Sequence, residues 1–356
     1  MDDIMIAGRH VGIGRPCFII AEAGVNHNGD YESAKKLIEL AADAGADAVK
    51  FQTFKSDGVA SCDTPAPAYP GLNQGDNRSQ AEILEGLALP YSYFRGLKEH
   101  CDKNGVIFLS TPHSFDAIDF LADLVPAYKF GSGDLTNIPA LEHAAKKKKP
   151  MILGAGMATM QEVQQAIAAV KKEGNDEIVA LHCTSEYPCP PKDVNLRAMR
   201  TMMERTGCLV GYSDHTLEPS VPALAAAMGA VILEKHFTLD RDLPGPDHKA
   251  SLGPEGLRHM VAELRSVETM LGRAEKRPTE AELSEMGLLR KSLVADTDIK
   301  RGEKIERSQI AIKRPGCGIK PGYLKRIIGS YAKGDILEGK VLEWGDIEGG
   351  EGEQDG

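Results

Sequence analysis

The feature that most constrains the fold is an eightfold alternation of short apolar segments and longer amphipathic segments between residues 17 and 272. The short segments are rich in β-branched residues and predict strands, whereas the longer ones carry apolar residues at helical spacing. The predicted strands begin at Cys17, Ala48, Val106, Ala127, Pro150, Glu177, Cys208 and Ala230. Eight such units over about 255 residues are typical of a (β/α)₈ TIM barrel.

A doubly wound parallel sheet is the alternative, because it could also accommodate eight strand-helix units. Such sheets carry a glycine-rich dinucleotide fingerprint directly after a strand. The only comparable segment, GRHVGIG, begins at Gly8 and therefore precedes the first predicted strand. We therefore predict a barrel.

The pattern changes after Gly272. Residues 273–290 predict a polar linker with a short helix, and residues 291–349 show short strands separated by glycine turns. Within this second part, DIKRGEKIERSQI from Asp298 aligns with DILEGKVLEWGDI from Asp335, which indicates an internal repeat. We predict a catalytic barrel at residues 1–272, a small β-rich domain at residues 291–349 and a disordered acidic tail at residues 350–356.

Charge and composition exclude several classes of partner. The formal net charge of -10 gives a nucleic-acid partner no electrostatic support. No apolar run approaches the roughly 20 residues of a transmembrane helix, and the amino terminus lacks the features of a signal peptide. The seven cysteines are scattered, which favours free thiols and a cytoplasmic location.

Polar residues gather at the carboxyl ends of seven of the eight predicted strands. Active sites of TIM barrels lie at this end, so we expect these side chains to surround one site. They include Glu22, Lys50, Gln52, Thr111, Lys129, Ser132, Asp134, Tyr187, Ser213, His215, Glu234 and His236. Residues two apart on a strand share a face, so Lys50 should lie beside Gln52.

His215 and His236 end neighbouring predicted strands, so their rings could converge on one ion. Imidazole is a suitable ligand for manganese, iron, cobalt or zinc. Two histidines at this spacing could equally be hydrogen-bonded core residues or an acid-base pair. Spacing alone leaves these alternatives open.

A series of motifs resembles the sialic acid synthases and, more broadly, the nonulosonic acid synthases. These motifs are EAGVNHNGD, KFQTF, FLSTP, YKFGSGD, LHCTSEYP, GYSDHT, LEKHFTLD and PGPDHKASL. The segments KSLVAD and IKRPG are similar to the antifreeze-like (SAF) domain of that family. The resemblance extends from about residue 12 to residue 348.

This resemblance implies a transferase that joins phosphoenolpyruvate to an open-chain N-acylated hexose and water. The products are a nine-carbon 2-keto acid and phosphate. It further implies a divalent metal on His215 and His236, with Mn²⁺ or Mg²⁺ favoured and Co²⁺ as a further option. The family's small domain also covers the active site of a second subunit, which implies a domain-swapped homodimer.

The resemblance also implies roles for individual residues. Glu22 and Asp134 are the expected general acid or base. Phosphate and carboxylate would be held by Lys50, Thr111, Lys129, Ser132 and Ser213. Sugar hydroxyls would be held by Gln52, Tyr187 and Asp247, and the N-acyl group by Arg314.

The chain departs from the family pattern at three places. Asp134 stands where many members have Glu, which shortens its reach. Ser185 and Glu186 precede Tyr187 where neuraminate synthases often have Asn, which predicts the loss of a phosphate contact. GAGM after the fifth strand replaces STGM and predicts backbone N–H groups as donors.

The motifs PGPDHKASL and CTSEYP favour a legionaminate-type substrate, 2,4-diacetamido-2,4,6-trideoxymannose, over N-acetylmannosamine. A pseudaminate-type substrate ranks third. We expect the loop from Lys55 to Gln80 to shape the sugar pocket.

Three other functions are open alternatives. The first is an aldolase that uses Lys50 or Lys129 as a Schiff-base nucleophile. The second is a seven-carbon sugar-acid synthase, against which the SAF segment argues. The third, a carbohydrate-binding or ice-binding module, does not explain the polar strand ends.

Overall fold

The computed structural model describes residues 2–61, 64–65 and 79–350. The chain divides into two compact units, Met1–Gly272 and Arg273–Gly356. Residues 351–356 of the predicted disordered tail lie outside the described residues. So does most of the loop expected to shape the sugar pocket, namely residues 62–63 and 66–78.

The first unit is built around one parallel sheet of eight strands. These strands are β3 (Phe18–Gly24), β4 (Ala48–Thr53), β5 (Ile107–Pro112), β6 (Tyr128–Phe130), β7 (Met151–Gly154), β8 (Ile178–His182), β9 (Leu209–Asp214) and β10 (Ile232–His236). They pair in the order β5-β4-β3-β10-β9-β8-β7-β6. Strands β5 and β6 stand at the two ends of this order and lie side by side, which brings the barrel nearly to closure. The predicted (β/α)₈ fold is confirmed.

Helices connect and surround these strands. In the first unit they are α1 (Tyr31–Asp43), α2 (Ser56–Val59), α3 (Gln80–Glu85), α4 (Tyr91–Asn104), α5 (Phe115–Leu121), α6 (Ile138–Ala145), α7 (Met160–Lys172), α8 (Arg197–Thr206), α9 (Ser220–Ala227) and α10 (Pro254–Leu271).

Helix α7 illustrates why the sequence forms a helix where it does. The Thr159 hydroxyl accepts the backbone N–H of Glu162, and the Glu162 carboxylate accepts the N–H of Thr159. Val163, Ile167 and Val170 recur at helical spacing and are buried against the sheet. Removing the cap by Thr159→Ala would cost about 1 kcal/mol.

A hairpin covers the amino-terminal end of the barrel. Its strands, β1 (Ile4–Ile6) and β2 (Arg9–Val11), are antiparallel. Its apolar side chains pack with the inward-facing residues at the start of the barrel strands, including Phe18 and Ile20. Asp47 anchors the hairpin, because its carboxylate pairs with Arg9 and also accepts the backbone N–H of Ile19 at 2.8 Å.

The second unit contains the antiparallel strands β11 (Ser292–Ala295) and β12 (Ile310–Lys313), with the helices α11 (Glu280–Leu289) and α12 (Leu324–Ile327). Its internal repeat is visible as reciprocal bonds. Asp298 accepts the backbone N–H of Glu338 at 2.8 Å, and Asp335 accepts that of Arg301 at 2.9 Å. The two copies of the repeat share one core of buried aliphatic side chains.

The helices in the described ranges are all too short or too polar to span a lipid bilayer.

Candidate active site

One cavity lies at the carboxyl ends of the barrel strands. Eleven of the thirteen residues predicted to form the site line it: Glu22, Lys50, Gln52, Thr111, Lys129, Ser132, Tyr187, Ser213, His215, His236 and Asp247. Side chains two apart on a strand share a face, so each strand can contribute more than one of these groups. Asp134 and Arg314 do not line the cavity.

Two lysines and two glutamates form a buried layer inside the barrel. The Lys50 ammonium lies 2.6 Å from Glu22 Oε2 and 3.7 Å from Glu234 Oε2. The Lys129 ammonium lies 3.1 Å from Glu234 Oε1, which also accepts the Ser213 hydroxyl at 3.0 Å. The four ionisable groups are thus paired with one another, as burial in a low dielectric requires.

The environment of this layer sets the ionisation of its members. Burial alone would lower the pKa of Lys50, but the carboxylates of Glu22 and Glu234 raise it above its usual range. Burial would raise the pKa of Glu234, yet Lys129 and Lys50 lower it to about 2. For Glu22 burial prevails and raises the pKa. Lys50 is therefore an ammonium ion and Glu234 a carboxylate.

His215 and His236 face one another beside this layer. Their ring centroids are 5.5 Å apart, and the Tyr187 ring lies 4.1 Å from that of His215. Burial lowers the pKa of His215 to about 4 and that of His236 well below its usual value. Both rings are therefore neutral near pH 7.

The two histidines fit the requirements of metal ligands. The Nδ1–H of His215 donates to the carbonyl of Thr184 at 2.6 Å, which leaves the lone pair on Nε2. This backbone bond is the usual way in which a protein orients a ligating imidazole. The buried Nδ1 of His236 has no hydrogen-bond partner among the described residues.

The protein supplies few further ligands. Over the described ranges, no group of three or more His, Cys, Asp or Glu side chains is placed to hold a metal ion. Asp247 Oδ2 lies 3.7 Å from His236 Nδ1. A metal on the histidine pair would therefore leave positions open for water and substrate, which is typical of catalytic sites.

Asp247 reaches the cavity on a loop that is held by hydrogen bonds. Burial, reinforced by the Glu22 carboxylate, raises its pKa to about 7. Its carbonyl accepts the Ser251 hydroxyl at 2.6 Å, and Ser251 Oγ accepts the Asn26 amide at 2.9 Å. Asn26 of the EAGVNHNGD motif thus fixes the loop that carries Asp247.

A compact polar cradle surrounds Gly156. A Cβ atom at this position would lie 2.3 Å from Ser185 Oγ, 2.7 Å from Ser132 Oγ and 3.1 Å from Cys183 Sγ. Ser185 Oγ is buried without a hydrogen-bond partner among the described residues. Only glycine leaves room for both hydroxyls at this position.

The prediction that GAGM offers free backbone donors is wrong for two residues. The N–H of Gly156 donates to Ser132 Oγ at 3.0 Å, and that of Ala155 donates to the Leu181 carbonyl at 2.9 Å. Both donors are therefore already used. Serine hydroxyls remain as the available donors at this position.

Two predicted site residues are not among those that line the cavity. Asp134 contacts His113, whose Nδ1 is 3.3 Å from its Oδ2, and His113 lines the cavity itself. His113 follows β5 directly, and this position at the end of a barrel strand predicts a place in the cavity. His113 was not among the predicted site residues. Arg314 belongs to the second unit, where it follows β12 and is exposed.

An apolar wall forms part of the lining of the cavity. It consists of Val25, Ile83, Leu84 and Leu87, with Phe54 packed behind it. Three of the four residues belong to α3 or follow it, so their place in the site depends on a helix inserted between β4 and β5. The strand pattern of the sequence therefore did not predict that these residues line the cavity.

Comparison with known proteins agrees with this geometry. The profile of the NeuB family matches residues 37–276. The chain belongs to the NeuB family. The SAF domain matches residues 290–348 of the same chain. The resemblance to sialic acid synthases drawn from the motifs is thereby confirmed, and this NeuB-family chain is an enzyme of that type.

Several relatives span nearly the whole length of this NeuB-family chain. An N,N'-diacetyllegionaminic acid synthase of Legionella pneumophila is 44% identical over 95% of the chain and 96% of its own length. A pseudaminic acid synthase of Campylobacter jejuni is 33% identical over 93% and 96%. The crystal structure of an N-acetylneuraminic acid synthetase from Leptospira borgpetersenii, in complex with citrate, is 34% identical with a TM-score of 0.71, and the match covers 80% of this chain and 95% of that one.

Proposed function

We propose that the enzyme condenses phosphoenolpyruvate with 2,4-diacetamido-2,4,6-trideoxymannose and water, giving a legionaminate-type nine-carbon 2-keto acid and phosphate. N-acetylmannosamine is the second candidate substrate and the pseudaminate precursor the third. The identity of 44% to a legionaminate-type synthase supports this ranking.

The observation that carries the proposal is the buried lysine-glutamate layer next to two neutral histidines. Lys50 and Lys129 supply fixed positive charge for a phosphate and a carboxylate, and both lie in a site shielded from bulk water. The hydroxyls of Thr111, Ser132 and Ser213 lie in the same cavity and supply further donors. Because both lysines also pair with Glu22 or Glu234, they act on a small anion such as phosphoenolpyruvate as oriented hydrogen-bond donors together with these hydroxyls.

The reaction requires one carbon–carbon bond, the addition of one water molecule and the loss of one phosphate. C3 of phosphoenolpyruvate bonds to the aldehyde carbon, whose oxygen takes up a proton and becomes a hydroxyl. Water adds to C2, loses a proton, and phosphate departs as the C2 ketone forms. Glu22 contacts Lys50 and Gln52 and is proposed to accept or donate one of these protons.

Asp134 is the weaker candidate for proton transfer, since its carboxylate reaches the cavity only through His113. Gln52, Tyr187 and Asp247 lie closer to the mouth than the lysine layer and are proposed to bind sugar hydroxyls.

His215 and His236 are proposed to hold a divalent ion, with Mn²⁺ or Mg²⁺ favoured and Co²⁺ as a further option. When bound, the ion would supply Lewis acidity towards the aldehyde oxygen and orient a water molecule. The neutral rings and the free Nδ1 of His236 support this assignment.

We further propose that two chains form a domain-swapped homodimer in which Arg314 reaches the N-acyl group bound to the other subunit. The resemblance to the family and the exposed position of Arg314 support this arrangement. Arg314→Ala should raise the KM for the hexose about tenfold or more while the KM for phosphoenolpyruvate stays within about twofold. An unchanged KM for the hexose would contradict it.

The Schiff-base alternative is disfavoured by the same geometry. A nucleophilic lysine must be unprotonated, whereas two carboxylates raise the pKa of Lys50. The Lys129 ammonium is held by Glu234 at 3.1 Å. Borohydride trapping with pyruvate should therefore leave the enzyme unmodified.

A cytoplasmic location is proposed from the cysteines. The described cysteines are all free thiols: Cys17, Cys101, Cys183, Cys189, Cys208 and Cys317. Unpaired thiols are the usual state in a reducing compartment.

The deciding experiment measures phosphate release from phosphoenolpyruvate with Mn²⁺ and each of the three candidate hexoses. We expect the highest kcat/KM with 2,4-diacetamido-2,4,6-trideoxymannose. EDTA should abolish release, and added Mn²⁺ should restore it. No release with any hexose would refute the proposed function.

A further inference from the structure

We propose that the apolar wall of the cavity binds a methyl group of the hexose and thereby selects substrates that carry one at that position. The inference rests on the proposed function and deepens it, because it assigns substrate preference to residues that the polar chemistry does not use. The methyl group can belong to C6 of a 6-deoxy sugar or to an N-acetyl group.

The residues of the wall belong to the first unit and pack on a small core of their own. Val25 and Leu87 are buried, and together with Phe54 they form a small core separate from the main barrel core. Ile83 and Leu84 pack against this core while remaining partly exposed. All four wall residues line the cavity that contains the lysine layer and the histidines.

Local hydrogen bonds define both ends of the helix that carries Ile83 and Leu84. The Ser79 hydroxyl accepts the N–H of Glu82, and the Glu82 carboxylate accepts the N–H of Ser79 at 2.7 Å. After the helix, the N–H of Leu87 donates to the Leu84 carbonyl at 3.0 Å. The packing of Ile83 and Leu84 on Val25, Phe54 and Leu87 holds the wall in place. Gln80, on the same helix, also lines the cavity and is a polar neighbour of the wall.

The polar and the apolar parts of the lining place opposite demands on a hexose. Gln52, Tyr187 and Asp247 offer hydrogen-bonding groups to hydroxyls. A hydroxyl in contact with the four wall side chains would lose its water and gain no hydrogen bond from them, whereas a methyl group there would be removed from water at no such cost. A single group of this size changes kcat/KM by about tenfold to a hundredfold.

The test compares substrate pairs that differ in one group, using phosphate release by the full-length enzyme with Mn²⁺. One pair is 2,4-diacetamido-2,4,6-trideoxymannose and its 6-hydroxy counterpart. The other pair is the same trideoxy sugar with N-acetyl or N-formyl groups. The enzyme variants are Leu84→Asn and, with a more conservative shape, Ile83→Thr. Leu224→Asn is the matched control, because Leu224 is 52% exposed on α9 and does not line the cavity.

We expect the wild type to prefer the methyl-bearing member of at least one pair by about tenfold or more. Both wall variants should reduce that preference several-fold, and the Leu224 control should preserve it. The pair whose preference collapses identifies the methyl group that the wall binds.

An active wild type whose preferences are unchanged in both wall variants would overturn the inference and leave the proposed function intact. Equal losses for both members of each pair would also overturn it, since that is the result of a purely structural role. A wild type that releases no phosphate with any hexose would refute the proposed function and the inference together.

Discussion

A buried ion pair behind the active site allows a quantitative test of the fold. Lys235 and Asp214 are 2% and 0% exposed, and the ammonium lies 2.6 Å from Asp214 Oδ2. Both point away from the cavity, because they alternate with the inward-facing Ser213, Glu234 and His236. The substitution Lys235→Met would leave the Asp214 carboxylate buried with the N–H of Thr216 as its remaining donor.

Removing one partner of a fully buried pair costs about 3–5 kcal/mol. With a urea m-value of about 3 kcal/mol/M for a unit of this size, the unfolding midpoint should fall by about 1 M or more. The single variant Asp214→Asn and the double variant Asp214→Asn/Lys235→Met complete the cycle, and the double variant removes the uncompensated charge. We expect the double variant to recover most of the loss, so that the mutant cycle gives a coupling of about 2–3 kcal/mol.

The assay is urea unfolding followed by far-ultraviolet circular dichroism near pH 7. Lys249→Met is the matched control, since its ion pair with Asp242 is exposed to solvent and should contribute little to stability. Similar losses for Lys235→Met and Lys249→Met would refute the reasoning. So would a double variant whose loss equals the sum of the single losses.

Three further predictions concern other parts of the barrel. Burial lowers the pKa of His27 from 6.5 to about 4, so below pH 6.5 the unfolded chain binds a proton that the folded chain does not. Stability should therefore fall as the pH drops from 6.5 towards 4, by about 2 kcal/mol near pH 5, and His27→Gln should lack this component in urea titrations. Asp47→Asn removes the carboxylate that anchors the amino-terminal hairpin and should cost about 1–3 kcal/mol in the same assay. Gly156→Ala places a methyl group against Ser185 and should raise the KM for phosphoenolpyruvate about tenfold in the phosphate-release assay, whereas Gly133→Ala, with open space around it, should not.

Much of the fold and of the polar site could be predicted, because both follow from strand periodicity. The alternation of short and long segments predicts the barrel. Because barrel active sites lie at the carboxyl ends of the strands, the same pattern predicts that Lys50, Lys129 and Glu234 lie close together. Their mutual compensation was not predictable, because it depends on which side chains meet across three different strands.

The remaining features depend on hydrogen bonds and insertions that carry no periodic signal. The N–H of Gly156 is used by Ser132, a contact between residues 24 positions apart. The wall residues Ile83 and Leu84 reach the cavity on a helix inserted after β4. Asp134 sits at a strand end but is directed towards His113, so position on a strand did not determine what its carboxylate contacts.

The hairpin covers the amino-terminal end of the barrel, so ligands enter and leave the cavity at its mouth. This arrangement affects the order in which the substrates bind. Lys50 and Glu234 lie two residues deeper on their strands than Gln52 and His236, so a ligand held by the lysines sits beneath one held near the mouth. Under the proposed function, the small anion must enter before the hexose. A hexose that arrives first blocks the way in, and high concentrations of it should therefore inhibit the enzyme in competition with phosphoenolpyruvate.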